Sequence, residues 1–256
     1  MTSRAETIAA WLQQRAEAAG ARGFVVGLSG GIDSAVVARL CQMAVHNHVL
    51  GVLLPCYSQP QDEEDAKLVA KTFGLPSVRV DLDETFDALM ASVQGAIKGL
   101  PHEVHVLDIK QQLPEANIKP RLRMSTLYYI ANSLNYLVAG TGNRSELTLG
   151  YFTKYGDGGV DVLPIGGLLK SDVRALARDI GVPQPIIDKP PTAGLWIGQT
   201  DEAEMGFTYE MLEHYLNQGR AAVPSAVADR IEQLKKNSEH KRAMPPIATV
   251  TKATST

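Results

Sequence analysis

The chain has 256 residues, of which 45% are apolar, and a formal net charge of −3 at pH 7. These values allow one large buried core and argue against a globally basic surface that would bind nucleic acid. The two cysteines, Cys41 and Cys56, form no CxxC pair, and no run resembles a signal peptide or a membrane span. We therefore expect a cytoplasmic protein without a zinc ribbon, a disulfide framework or a membrane partner.

Helical and apolar patterns alternate along the first 140 residues. They predict helices over 3–19, 35–45, 61–73, 84–97 and 121–134, and strands over 23–28, 48–54, 77–82 and 135–139. This alternation indicates an α/β fold, a doubly wound parallel sheet with helices on both faces. Residues 98–116 show no clear pattern. After residue 147 we expect no further strands, only helices near 170–180, 208–217 and 223–236 and a frayed tail at 245–256.

Residues 29–34, SGGIDS, lie between the first strand and the following helix. Adjacent glycines let the backbone approach a ligand, and the helix start offers unpaired N–H groups and a positive dipole end. A carboxylate beside phosphates usually means that Mg²⁺ lies between them. The segment has neither the spacer nor the lysine of a Walker A loop, and its glycines do not follow G-x-G-x-x-G. An ordinary strand-to-helix turn with Ser34 near the N-cap is the alternative.

Three later segments carry groups that suit the same crevice. Residues 140–146, GTGNRSE, follow the fourth strand, so Glu146 is expected at the same sheet edge as Asp33, unless it merely opens a helix. Residues 151–161, YFTKYGDGGVD, combine glycines, acids, a lysine and aromatic rings, as a ligand-gripping loop does. Lys170 opens a helix, where an ammonium group is unfavourable unless an anion neutralises it, although a solvated surface lysine is also possible.

Together, these segments resemble ammonia-dependent NAD synthetase, a member of the ATP pyrophosphatase or adenine nucleotide alpha hydrolase-like family. The resemblance runs from about residue 23 to residue 245 through SGGIDS, NIKPRLRM, GTGNRSE, YFTKYGDGGVD, LLK, KPPTAGLW and EHKR. It implies ATP-dependent amidation of deamido-NAD with ammonia, through an acyl-adenylate, to give NAD, AMP and pyrophosphate. It also implies a homodimer whose interface helps to build the dinucleotide site.

The resemblance assigns residues to each ligand. Metal ligands for Mg²⁺ would be Asp33 and Glu146, and Lys170 would act in catalysis on the phosphates. From its carboxylate on a glycine-rich loop, and not from the resemblance, we add the hypothesis that Asp157 acts in catalysis by positioning or deprotonating ammonia. Deamido-NAD would contact Arg121, Lys154, Asp161, His240 and Lys241. ATP would contact Gly27, Leu28, Ser29, Gly30, Gly31, Ile32, Asp33, Ser34, Thr141, Lys170 and Thr192.

The same loop also occurs in other classes of protein. Glutamine-dependent relatives carry an N-terminal glutaminase domain; only twenty-two residues precede the first strand here, so we expect a single domain over 1–256 that uses free ammonia. An RNA-thiolating ATP pyrophosphatase would need CxxC cysteines and a basic face, and the sequence shows neither. A non-catalytic nucleotide-binding module would not need two metal carboxylates and a lysine-bearing loop.

Overall fold

A computed structural model describes residues 2–101, 112–191 and 201–249. Its sheet has four parallel strands in the order β3-β2-β1-β4. The strands are β1 (Gly23–Gly27), β2 (Val49–Leu53), β3 (Ser77–Arg79) and β4 (Tyr136–Val138). Val25 in the central strand pairs with Leu50 on one side and Val138 on the other. The predicted doubly wound parallel sheet is confirmed.

Helices follow each strand, and the predicted helices are present with small shifts at their ends. The helices in the described part of the chain are α1 (Arg4–Ala18), α2 (Ile32–Val45), α3 (Pro60–Phe73), α4 (Asp83–Lys98), α5 (Gln112–Ala116), α6 (Ile118–Leu134), α7 (Arg144–Leu149), α8 (Lys170–Asp179), α9 (Gln184–Asp188), α10 (Asp201–Met205), α11 (Tyr209–Gln218) and α12 (Ser225–Asn237). Short 3₁₀ turns lie at Arg220–Ala222 and Glu239–Lys241. No helix in these ranges is long and apolar enough to cross a bilayer.

Strand side chains alternate between the two faces of the sheet, as the pleat requires. Phe24 and Val26 pack with α1, α2 and α8, whereas Val25 and Val138 pack against α6 on the opposite face. A third cluster joins α7, α11 and α12 through buried Leu149, Leu212 and Ile231. Helices therefore cover both faces, and the carboxyl edge of the sheet stays open for a site.

One helix start differs from the expectation. Helix α6 begins at Ile118, before the predicted Arg121, because Pro120 falls in the first helical turn, where its missing N–H has no intrahelical partner to lose. As expected, the described residues after 147 contain no strand, although Val162 forms one isolated parallel bridge with Ala139. Gly140 N–H donates to Val162 O at 2.8 Å, so the returning chain extends the sheet edge beside β4.

Candidate active site

The glycine turn between β1 and α2 is held in one shape by its own side chains. Gly30 has φ +75°, and a Cβ there would lie 2.3 Å from Asp62 O, so only glycine fits. The buried Ser34 hydroxyl donates to Gly31 O at 2.9 Å and lies 3.1 Å from Ser29 Oγ. The first-turn amides of α2, which a helix leaves without intrahelical acceptors, follow directly. The turn is therefore a preformed concave backbone surface.

A crevice of about 410 Å³ lies at the carboxyl edge of the sheet, beside this turn. Most residues predicted to bind ATP line it, whereas Gly30 and Ser34 lie behind the surface and shape the turn. The predicted site residues that line the crevice are Gly27, Leu28, Ser29, Gly31, Ile32, Asp33, Thr141, Glu146, Asp157, Lys170 and Lys241. The position of Thr192 lies outside the described residues.

Lys170, the first residue of α8, is the central charge of the crevice. Its side chain is only 3% exposed and donates to Asp33 Oδ2, while Glu146 Oε1 lies 3.7 Å from the ammonium nitrogen. Burial alone would lower the pKa of Lys170, but Asp33 and Glu146 hold that pKa above its ordinary value. The anion that the helix start requires is thus supplied by two carboxylates from two strand ends.

Glu146 lies at the start of α7, where it forms part of a capping box with Asn143. Burial within the crevice walls and the nearby Asp33 carboxylate raise the pKa of Glu146 to about 8. Lys170 acts in the opposite direction and limits this rise. A cation arriving beside Glu146 would favour the ionised form of this carboxyl group, and the displaced proton would leave to solvent.

Asp201 and Tyr209 lie close to Lys170, and the sequence did not identify either as a site residue. Tyr209 lies under Lys170, whose Nζ is 5.4 Å from the ring centroid, and its hydroxyl donates to Asp201 Oδ2 at 2.8 Å. Burial raises the pKa of Asp201, which is 4% exposed. These residues come from α10 and α11, whose order along the chain carries no motif that would have marked them as site residues.

Two further basic residues line the crevice: Lys189, which the sequence did not single out, and Arg123, which carried only a weak signal at the start of the long helix. Lys189 donates to Asp62 Oδ1 at 2.8 Å and to Asp65 Oδ2 at 2.6 Å, so it fastens the segment before Pro190 to α3. Arg123 donates to Leu54 O at 2.9 Å at the other side of the crevice. The sequence signal was weak, since Lys189 was only the first letter of the KPPTAGLW motif.

Asp157 and Lys241 lie at the outer end of the crevice. Thr153 N–H donates to Asp157 Oδ1 at 2.8 Å, and the crevice walls displace bulk water and raise the pKa of Asp157, although its side chain is open to the crevice. Lys241 donates to Gly150 O at 2.8 Å and to Phe152 O at 2.7 Å. Burial lowers the pKa of Lys241, and the Asp157 charge partly opposes this.

The other residues expected to contact deamido-NAD do not line the crevice within this single chain. Arg121 donates to Lys154 O at 3.4 Å, and both residues lie on the outer side of the loop. Asp161 accepts from Val138 N–H at 2.8 Å and from the Tyr128 hydroxyl at 3.0 Å. His240 is exposed in the 3₁₀ turn Glu239–Lys241. The predicted ATP and metal residues therefore converge at the crevice, whereas these predicted deamido-NAD residues lie dispersed outside it.

The inner carboxylates suit a shared divalent cation. Asp33 and Glu146 both approach the single Lys170 ammonium, so one small cation could contact both. Hard carboxylate oxygens are the ligands that Mg²⁺ prefers, with phosphate and water completing its shell. Among the described residues, no three His, Cys, Asp or Glu side chains are grouped closely enough to hold a metal. Asp33 and Glu146 therefore fit as two protein ligands of such a cation.

A parallel sheet with a glycine turn, a helix start and convergent charges at its carboxyl edge defines an α/β protein of the nucleotide-binding class. The fold is that of the adenine nucleotide alpha hydrolases, which the solved NAD synthetases share. A family model described as NAD synthase matches residues 4–245, and the chain belongs to this family.

Individual relatives agree with this assignment over nearly the whole chain. The NH(3)-dependent NAD(+) synthetase of Carboxydothermus hydrogenoformans is 50% identical over 244 residues, 95% of this chain and 96% of the relative. The NMN synthetase from Francisella tularensis has a TM-score of 0.87 at 35% identity, covering 96% of this chain and 98% of that one. The NH3-dependent NAD synthetase from Campylobacter jejuni has a TM-score of 0.76 at 29% identity, with 96% and 97% covered.

Proposed function

We propose that this chain catalyses the ATP-dependent amidation of deamido-NAD with ammonia, giving NAD, AMP and pyrophosphate in the last step of NAD biosynthesis. The observation that carries this proposal is the convergence of Asp33 and Glu146 on buried Lys170 beside the glycine turn. Within a chain of the NAD synthase family, this arrangement matches what a triphosphate needs at the point where it is cleaved.

The first step activates the substrate carboxylate. A carboxylate is a poor electrophile, so one oxygen of the nicotinate carboxylate attacks the α-phosphorus of ATP, and the bond to pyrophosphate breaks. Negative charge then grows on the phosphate oxygens, next to Lys170 and the first-turn backbone N–H groups of α2. These groups are preorganised, so they stabilise the charge without first reorganising solvent. When bound by Asp33 and Glu146, Mg²⁺ would neutralise part of the charge on the departing pyrophosphate.

The second step transfers nitrogen. Ammonia attacks the carbonyl carbon of the acyl-adenylate, AMP leaves with the electron pair of the broken C–O bond, and the nitrogen must lose a proton. Asp157 suits this proton transfer because its carboxylate lines the crevice on a glycine-rich loop. Thr153 N–H donates to Asp157 Oδ1 and orients this carboxylate.

A coupled assay tests the proposed reaction. The purified chain is given Mg·ATP, deamido-NAD and ammonium, each omitted in turn, and AMP, pyrophosphate and NAD are quantified. We expect equal amounts of the three products, with AMP release that depends on deamido-NAD. ATP turnover that ignored deamido-NAD would overturn the proposal.

A second candidate is the amidation of the corresponding mononucleotide. The high structural similarity to the NMN synthetase from Francisella tularensis favours testing it. The outer residues Arg121 and Lys154 would have no role toward a mononucleotide that fills only the inner crevice. Comparing kcat/KM for deamido-NAD and for nicotinate mononucleotide decides between the two, and a preference for the mononucleotide would replace the first candidate.

We also propose that the chain forms a homodimer through α4 and α6. Helix α4 has no buried residue, and it exposes Leu89, Val93 and Ile97 at helical spacing, while α6 exposes 75% of Tyr129. A second copy covering this face would also enclose the Arg121 end of α6. Sedimentation should give twice the 27.6 kDa chain mass for wild type and a single-chain mass for V93E. A monomeric wild type at micromolar concentration would contradict the proposal.

A further inference from the structure

Asn143 is a buried amide placed between the two carboxylates of the crevice. Its side chain is fully buried, and it precedes α7 as the N-cap residue. Its Oδ1 accepts from Glu146 N–H at 3.1 Å, and its Nδ2 donates to Asp33 Oδ1 at 3.1 Å. One side chain therefore bonds to both strand-end segments that supply the acidic groups.

The two carboxylates are held in the same manner. Asn143 backbone N–H donates to Glu146 Oε2 at 3.1 Å, which leaves Oε1 facing Lys170. Its side-chain amide holds Asp33 Oδ1, which leaves Oδ2 facing Lys170. Asn143 thus occupies one oxygen of each carboxylate and directs the other oxygen of each toward a common point.

Only an amide in this orientation satisfies both contacts. If the amide were turned over, its NH₂ would meet the Glu146 N–H and its oxygen would meet the Asp33 carboxylate, so both contacts would be repulsive. An aspartate could accept but not donate, and an apolar residue could do neither. A serine or threonine hydroxyl can still cap α7, but it is shorter than the amide that reaches Asp33.

We propose that Asn143 is a positioning residue that presets Asp33 and Glu146 for the metal-bound triphosphate. It touches neither the reacting atoms nor the substrates, and it acts through the two carboxylates. This inference depends on the proposed function, because it presumes that ATP binds at this point with Mg²⁺.

The test separates helix capping from the contact with Asp33. N143S keeps an N-cap hydroxyl and loses the amide donor, and N143T does the same if the serine variant is poorly folded. Calorimetry measures ATP binding without deamido-NAD or ammonium, once with Mg²⁺ and once with EDTA. The ratio of the two affinities is the metal-dependent gain. As the matched control, N135G removes an amide that bonds to Gly20 O, far from the crevice, at a left-handed position that glycine adopts freely.

We expect the metal-dependent gain to be about tenfold smaller in N143S and N143T than in wild type, which corresponds to one hydrogen bond to a charged group. ATP affinity in EDTA should stay within about twofold of the wild-type value. N135G should match wild type in both measurements. Equal loss with and without Mg²⁺ would show a merely structural role and overturn the inference, as would an unchanged gain. A wild type that bound ATP without any metal-dependent gain would overturn the metal role of Asp33 and Glu146 and with it the inference, whereas a wild type that bound no ATP would overturn the proposed function.

Discussion

The inner crevice and the outer surface around α6 hold their charged groups in different ways. In the crevice, Lys170 is almost fully buried and contacts both Asp33 and Glu146. On the outer surface, Arg121 is exposed and donates to a carbonyl oxygen at 3.4 Å, and His240 is exposed as well. One region is preorganised within a single chain, whereas the charged groups of the other are dispersed and exposed.

This contrast indicates that the two regions suit different substrates. A triphosphate carries dense charge, and its cleavage benefits most from groups that are fixed before it arrives. The second substrate offers a larger, less charged surface, whose recognition tolerates side chains that order on binding. The comparison predicts large catalytic losses in the crevice and smaller binding losses on the outer surface.

The largest effect should come from K170M, which removes the crevice cation but keeps the length of the side chain. We expect kcat to fall about 10³-fold, because a preorganised charge facing the transition state is lost. Steady-state NAD formation measures this, with K71M, at an exposed lysine in the last turn of α3, as the control. Activity within tenfold of wild type would remove Lys170 from the chemistry.

D157A should have the next largest effect. Loss of a general base reduces a rate by about 10²-fold or more, so amide formation should slow while adenylation continues. Rapid quenching should then reveal accumulated acyl-adenylate. Exposed Asp179 at the end of α8 offers the control D179A. Unchanged conversion of pre-formed acyl-adenylate by D157A would show that Asp157 has another role.

R121A tests the outer surface. We expect KM for deamido-NAD to rise about tenfold with KM for ATP unchanged, as one charged hydrogen bond is lost. Arg178, exposed in the last turn of α8, provides the control R178A. If KM for ATP rose instead, the two regions would not divide the substrates as proposed.

E146Q gives the smallest predicted effect, a change in stability with pH. The folded chain keeps the Glu146 proton up to a pKa of about 8, whereas the ordinary value is 4.5, so wild-type stability falls as pH rises between these values. Glutamine has no such proton to lose. In EDTA, the thermal midpoint of E146Q should therefore gain on wild type by a few degrees from pH 5 to pH 8. A constant difference across this range would contradict the raised pKa.

The strands and the carboxylates at the carboxyl edge of the sheet could be predicted from local sequence patterns. Apolar runs located the strands, and the carboxyl-edge rule placed Asp33 and Glu146 at one edge, where both approach Lys170. The helix-start argument for Lys170 was also sound, although in this structure protein carboxylates supply the neutralising anions. Local chemistry and sheet topology together were sufficient for this much.

The remaining features depend on contacts between distant segments. Lys189 meets Asp62 and Asp65 across more than a hundred residues, and no periodicity encodes that meeting. Asn143 had a readable signal, because a glutamate three residues after an asparagine is typical of a capping box. Its bond to Asp33 had none, since it depends on how β1 and β4 align.

Close contacts join residues 149–152 to residues 238–241, and they limit how far the described C-terminal part of the chain can be shortened. Gly150, at φ +66°, leaves no room for a Cβ against Ser238, whose hydroxyl donates to Leu149 O at 2.8 Å. Lys241 also donates to Gly150 O and Phe152 O, so residues 238–241 stabilise the loop that follows α7. A C-terminal truncation intended to aid crystallisation should therefore keep Arg242 and remove only residues that follow it.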